Sequence, residues 1–314
     1  METELIVFYH DLCMDGFAAA ALFYKYSDKP TFVPVNYRAM PKLEEGKKHY
    51  AHFLDFTPPV EWVEENKHLL GGLVILDHHD DKEEDCKTIR SIFPGTIVHF
   101  DRNLAGSGLT WKYLNHGEMP EVIRLINNRD LWIATDSERE YHEYFVRFLK
   151  KGNKEDIFPP FNALLEYSKE RVEAEIRPVV DLLIESRNKN ITFHLDKKVC
   201  FPVETNGVFQ FTAVYLSAPY YYASEAASML LAKRDDVDLV VNVTLNKKGL
   251  GLSFRSRKGT GWAQRLAHDF NGGGHPDAAG GVFDYPVSFD ILHALILQNI
   301  NKVSNNEFNT PENQ

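Results

Sequence analysis

Short apolar runs separated by helix-like stretches fill the first half of the chain. Glu4–His10, Thr31–Tyr37, Ala51–Thr57, Gly71–His79 and Gly95–Asp101 are rich in the β-branched and aromatic residues of strands. Gly16–Ser27 and Leu109–His116 have the apolar spacing of helices. Strands alternating with helices predict βαβ units and a mainly parallel sheet flanked by helices. From Phe161 to Asn188 the pattern becomes long, charged and helical in period, and Pro178 should bend or divide it. A mixed α+β pattern follows, with a hairpin-like turn at Asn246 to Gly249, and the chain closes on a polar stretch.

The expected architecture is α/β, with a smaller α+β domain after it and a cleft for the active site between the two. Boundaries are expected at 1–160 for the first domain, 161–190 for a helical connector, 191–302 for the second domain and 303–314 for a polar tail.

At 314 residues, 44% hydrophobic, 12% aromatic and 25% charged, the composition is that of folded domains with a sizeable core. The longest apolar runs fall well short of the roughly 20 residues needed to cross a bilayer. The first residues lack a basic stretch before the apolar run, so no signal peptide is expected. Three scattered cysteines, Cys13, Cys86 and Cys200, give no disulfide framework and no C-x-x-C pair, and a reducing cytoplasm is the simplest compartment. A formal net charge of −10 argues against coating of duplex DNA, which needs many Lys and Arg against phosphates. A phosphate-bearing ligand in a local basic pocket stays compatible with that charge, above all where a metal adds positive charge.

Candidate chemistry gathers where apolar runs end. Ligands of parallel α/β sheets collect at the carboxyl ends of strands, and His10, Asp55 and Asp77-His78-His79 each stand at or near such an end. Four segments offer metal ligands: His10, Asp11, Cys13 and Asp15; Asp55; Asp77, His78 and His79; and Asp130. Mixed carboxylates and imidazoles suit Mn, Fe, Zn or Ni better than the all-oxygen shell of Mg or Ca, and a two-metal cluster needs a bridging carboxylate. Singly, an Asp after a strand is a turn or cap residue more often than a ligand. His52 and His99 are assigned to the packing background, and Asp130 can equally pair with Arg129 at a helix end.

A second signal lies at Gly272-Gly273-Gly274-His275. Consecutive glycines allow backbone conformations closed to other residues, and their N–H groups can face phosphate oxygens. Upstream, Arg255 and Arg257 alternate on a strand, so both should project to one face, where they are either solvated or form a phosphate clamp. The tyrosines of Pro219–Glu225 are read as packing or rim residues rather than a base-stacking surface.

These motifs resemble the DHH phosphoesterase superfamily, in the branch with a GGGH-bearing DHH-associated C-terminal domain, which includes RecJ-like nucleases and nano-RNases. The resemblance spans nearly the whole chain and rests on Asp77-His78-His79 and Gly272–His275 in that order. It implies a divalent-metal-dependent phosphodiesterase, usually manganese-loaded, that hydrolyses short single-stranded RNA or DNA or dinucleotides, as a 3′–5′ exonuclease. Phosphatases of 3′-phosphoadenosine 5′-phosphate in the same superfamily supply an alternative, as does a nucleotide-binding sensor with a decayed metal site.

Carried over residue by residue, Asp15, Asp55, His78 and Asp130 match one metal site, and His10, Cys13 and Asp55 the second. His79 matches the residue near the scissile phosphate, and Asp77 a partner orienting a histidine. Arg255, Gly272, Gly273, Gly274 and His275 match substrate contacts. The departure is Cys13, where relatives commonly carry aspartate; a thiolate suits Zn2+ or Fe2+ better than Mn2+.

Overall fold

The computed structural model describes residues 2–11, 13–28, 30–36, 40–114, 117–149, 155–205, 208–246, 249–283 and 293–298. The expected tail, 303–314, lies outside them. The chain divides into two compact units, Met1–Ile184 and Glu185–Gln314.

In the first unit, β1 (Thr3–His10), β2 (Thr31–Val35), β3 (Lys48–Leu54), β4 (Leu70–Asp77) and β5 (Ile97–Phe100) form one sheet in the order β2-β1-β3-β4-β5. Every neighbouring pair is parallel. Such a sheet must be covered on both faces, and the strand residues divide accordingly with period two. Val7, Tyr9, Val74 and Leu76 enter one core, while Ile6, Phe8, Leu73 and Ile75 enter the other.

The first core is closed by α1 (Met14–Tyr26), whose residues Met14 to Phe23 are all buried. Four successive alanines, Ala18 to Ala21, let this helix lie close to the sheet. The opposite core takes residues from α2 (Val60–Asn66) and α3 (Glu83–Ile92). On the α1 side α4 (Gly106–Leu114), α5 (Glu121–Asp130), α7 (His142–Phe145) and α8 (Phe158–Ala163) add residues to this core, and α6 (Asp136–Glu140), with no buried residue, lies between α5 and α7 in the chain. The strand order reverses between β1 and β3, the switch point at which open α/β sheets leave a crevice above the strand ends.

The connecting helical stretch is interrupted and then continues further than its charge pattern suggests. After α9 (Lys169–Arg171), a π turn over Val172–Ile176 precedes Pro178 and leads into α10 (Arg177–Asp196). Val172, Ile176 and Val180 join the first core, whereas Ile191 joins a core of the second unit. The boundary between the units thus falls inside one helix.

The second unit is a six-stranded sheet in the order β10-β11-β9-β8-β7-β6. Its strands are β6 (Val199–Thr205), β7 (Val208–Leu216), β8 (Val237–Asn246), β9 (Gly249–Ser256), β10 (Gly273–His275) and β11 (Ala278–Phe283). All pairs are antiparallel except β7 with β8, which α11 (Ala223–Lys233) connects. The expected turn is the β8–β9 hairpin, closed by the Asn246–Gly249 pair, with residues 247–248 outside the described ones. One face packs against α12 (Trp262–Asp269). No helix among the described residues is long and apolar enough to cross a membrane.

Candidate metal centre

The crevice above β1, β3 and β4 collects the acidic and imidazole residues from separate segments. His10 ends β1, Asp55 follows β3, Asp77 ends β4 with His78 and His79 beyond it, Cys13 caps α1, Asp15 lies in its first turn, and Asp130 ends α5. Three donor groups form: His10, Cys13 and Asp55; Asp55, His78 and His79; and Asp15, His78 and Asp130, each with donor atoms within 4.8 Å of one another. Atoms sharing one ion at about 2.0–2.3 Å lie roughly 3–4 Å apart.

Asp55 is the hinge of the arrangement. Its Oδ1 lies 3.2 Å from His78 Nε2, and its Oδ2 lies 3.4 Å from His10 Nδ1, so its two oxygens face two different histidines. The residue adopts φ +56°, in the left-handed region where a non-glycine side chain is strained. This conformation lets the chain leave β3 while turning the carboxylate back over the sheet. It is 1% exposed, as is Asp15.

Asp15 is set by α4. The Ser107 N–H donates to its Oδ1 at 3.0 Å and the Ser107 hydroxyl donates to the same oxygen, leaving Oδ2 buried without a hydrogen-bond partner. Gly106, the first residue of α4, is required by closeness. A Cβ there would stand 2.8 Å from both Asp15 Oδ2 and Asp55 Cα. On the other side, His78 Nε2 is 3.3 Å from Asp130 Oδ2 as well as close to Asp55.

His79 is held by Asp77, which is fully buried. Asp77 Oδ1 lies 2.6 Å from His79 Nδ1 and accepts the His78 N–H at 2.7 Å, while its Oδ2 accepts the Thr57 hydroxyl. The imidazole is thereby oriented with Nε2 turned away from Asp77, and its ring lies 4.6 Å from that of His78.

The electrostatics are those of negative charge packed too tightly. Burial, then Asp55 and Asp130, push the Asp15 carboxyl well up; burial, then Asp55, push Asp130 up. Asp55, against the penalty of burial, is held below the carboxylate range by His10 and His78. Burial and the Asp55 and Asp15 carboxylates push the Cys13 thiol up, disfavouring a bare thiolate. The hydrogen bond to Asp77, opposed by burial, raises His79 to about 9. A cation held by Asp15, His78 and Asp130, beside Asp55, would relieve the burial and repulsion that raise Asp15 and Asp130 and would give the buried Asp15 Oδ2 a partner. The donor set therefore fits a divalent metal.

The histidines set aside as background pack elsewhere. His52 lies against Phe23 and Tyr113, with burial lowering it to about 4, and His99 lies edge-on to Tyr113. Thr57, Gly106 and Ser107 belong to the site although no motif marked them. The one available signal was Gly106-Ser107-Gly108, two glycines at a helix start where helix propensity alone disfavours them.

In the second unit, register brings two expected residues together. His275 pairs with Ala278, and Ala278 pairs with Arg255 across β9, so the three form one row on the same face. Arg255 and His275 stand two strand spacings apart, about 10 Å, with a small alanine between them. The Arg255 guanidinium donates to the Phe254 carbonyl at 2.9 Å and lies 3.4 Å from the Ser224 hydroxyl.

The glycines differ in what they do. A Cβ at Gly272 would stand 2.6 Å from Gly281 Cα, and Gly274 has φ +144°, whereas Gly273 faces open space. Residues Gly273 to His275 are exposed. The expected pairing of Arg255 with Arg257 in a clamp is corrected. Arg257 lies past the end of β9, and its guanidinium is tied to Asp238 at 2.7 Å and to the Val237 and Arg234 carbonyls at 2.7 and 2.8 Å. It fastens the turn before β8 to the end of β9.

No protein-family model matches the sequence. A search of curated proteins finds the uncharacterized protein R106 of Acanthamoeba polyphaga mimivirus, 22% identical over 303 residues, covering 88% of this chain and 67% of that one. Among solved structures, RecJ of Thermus thermophilus in complex with Mn2+ aligns with TM-score 0.48 and 15% identity, covering 96% of this chain and 52% of RecJ. The pGpG-specific phosphodiesterase PggH of Vibrio cholerae aligns with TM-score 0.48 and 12% identity, covering 96% of this chain and 99% of that one. An exopolyphosphatase-related protein of Bacteroides fragilis gives TM-score 0.44 and 16% identity, covering 96% of this chain and 93% of that one.

Proposed function

We propose that this protein is a divalent-metal-dependent phosphoesterase that hydrolyses phosphodiester bonds of short single-stranded oligonucleotides or dinucleotides, acting from the 3′ end. The observation that carries the reading is the placement of Asp55, buried and strained, with one oxygen toward His78 and the other toward His10. A carboxylate so placed suits a bridge between two ions.

In this reading Asp15, Asp55, His78 and Asp130 would hold one ion, Mn2+, and His10, Cys13 and Asp55 would hold the second. The Cys13 thiol makes the second set softer and favours Zn2+ or Fe2+ there. Bound metal supplies Lewis acidity toward phosphate oxygens and lowers the pKa of water for attack on phosphorus. His79, fixed by Asp77, donates a proton or a hydrogen bond to the departing ribose oxygen. Arg255 and His275 hold a substrate phosphate above Ala278, with the open backbone at Gly273 admitting it closely.

The test is hydrolysis of RNA and DNA oligonucleotides, from dimer to decamer, with Mn2+, Mg2+, Zn2+ or no metal. Metal-dependent cleavage in wild type is expected to fall by about three orders of magnitude in Asp130→Ala, the loss of several kcal/mol of charge stabilisation. Cys13→Asp is expected to raise Mn2+-dependent turnover. Absence of cleavage with every metal, or cleavage untouched by Asp130→Ala, contradicts the reading.

A further inference from the structure

Two residues past Asp130 the chain does something that stability alone does not explain. Helix α5 ends at Asp130, Leu131 caps it, and Trp132 takes φ +61°, the left-handed position that closes a helix and ordinarily belongs to glycine or asparagine. The turn is well defined. Trp132 N–H donates to the Arg129 carbonyl at 3.1 Å, and the Ile133 and Ala134 N–H groups both donate to the Asn128 carbonyl at 3.0 Å.

At this strained position Trp132 is 79% exposed, and Ile133 beside it is 65% exposed. Trp132 therefore carries backbone strain and gains no burial in return. The Arg139 guanidinium lies 5.8 Å from the ring centroid and donates to the Trp132 carbonyl at 3.3 Å, which steadies the residue beside a cation. With two peptide units between them, the Trp132 Cα is at most about 7.6 Å from that of Asp130.

We propose that Trp132 is a specificity-determining residue, a stacking platform for a nucleobase of the substrate whose phosphate lies at the acidic cluster. The inference rests on the phosphoesterase reading and goes beyond it, because it assigns recognition of the base to the first unit. An exposed aromatic face stacks on any base, so the expected preference is for a base over none rather than for one base over another. The flanking Arg139 adds a cation beside the stack.

The experiment uses the full chain and a 5′-phosphorylated triadenylate, compared with strands made base-free at one position at a time. In wild type, removing the base at one position is expected to raise KM about 5- to 150-fold, the range of one base–aromatic stack. In Trp132→Gly the same removal is expected to change KM less than twofold, and Trp132→Phe is expected to keep most of the preference. Trp132→Gly is also expected to raise Tm by about 2–4 °C, since glycine relieves the left-handed strain.

Equal penalties for base removal in wild type and Trp132→Gly overturn the stacking role while leaving the phosphoesterase reading standing. A Trp132→Gly variant that sediments as a lighter species with unchanged kinetics assigns the ring to contact with a second copy of the chain and overturns it too. Failure of wild type to cleave any strand overturns both the phosphoesterase reading and the inference built on it.

Discussion

The acidic cluster of the first unit and the glycine-rich hairpin of the second are built on opposite principles. The cluster has buried carboxylates at Asp15, Asp55 and Asp77 with half-buried His10, Cys13, His78, His79 and Asp130 around them, is assembled from the ends of three strands and three helices, and is strained at Asp55. Its carboxylates repel one another, and the surrounding fold over-determines their positions through Ser107, Gly106 and Thr57. The hairpin is exposed, and its shape depends on glycine backbone at Gly272 and Gly274, with the Gln264 side-chain amide donating to the Gly274 carbonyl at 2.8 Å. A preorganised charge cluster suits transition-state stabilisation, because it costs no reorganisation when charge develops. An open hairpin suits adjustable binding. Substitutions in the first should lower kcat or abolish metal binding, and those in the second should act on KM.

The largest expected contrast is between two glycines. Gly106→Ala drives a Cβ against Asp55 and Asp15, so it should destabilise the fold by about 1–3 kcal/mol despite the better helix propensity of alanine. It should also weaken metal binding, read by denaturant unfolding and by metal titration. Gly273→Ala meets nothing within 4 Å, so stability should stay within about 0.5 kcal/mol. Equal effects at the two positions would break the comparison.

Next in size is Thr57→Val, which leaves the buried Asp77 Oδ2 without its donor and frees His79 to reorient. Loss of such an outer partner commonly lowers activity about 10- to 100-fold. Here kcat should fall with KM nearly constant, and a change confined to KM would place Asp77 and His79 in binding rather than in the chemical step.

The smallest is His275→Ala, expected to raise KM about 2- to 12-fold through loss of one solvent-exposed hydrogen bond, with Tm unchanged. A drop in kcat without a change in KM would move the hairpin into the catalytic machinery.

The strands could be read in the sequence because a parallel sheet buried on both faces needs short apolar runs, and the strand ends could be read because polar residues break those runs. That is why His10, Asp55, Asp77, His78 and His79 stood out, and why register alone then joined Arg255 to His275 through Ala278. What escaped was everything that works by closeness between distant segments. Gly106 is glycine because of Asp55, 51 positions earlier (106 − 55), and Ser107 serves Asp15 across 92 positions.

Alternation gave the wrong partner for Arg255, because β9 ends at Ser256 and Arg257 turns to Asp238. The charged surface of α10 hid its continuity to Asp196, since only Ile191 in its later turns is fully buried. Trp132 gave no signal, because its left-handed φ is a property of the helix end and not of the residue.

The central claim is that Asp55 serves two ions at once, and the most direct measurement is the number of Mn2+ or Zn2+ ions bound per chain, by equilibrium dialysis with elemental analysis, in wild type and Asp55→Asn. The account predicts two ions in wild type and a loss at both positions in the variant, with the folded state retained. A variant that still binds as many ions as wild type, with unchanged affinity, would contradict it.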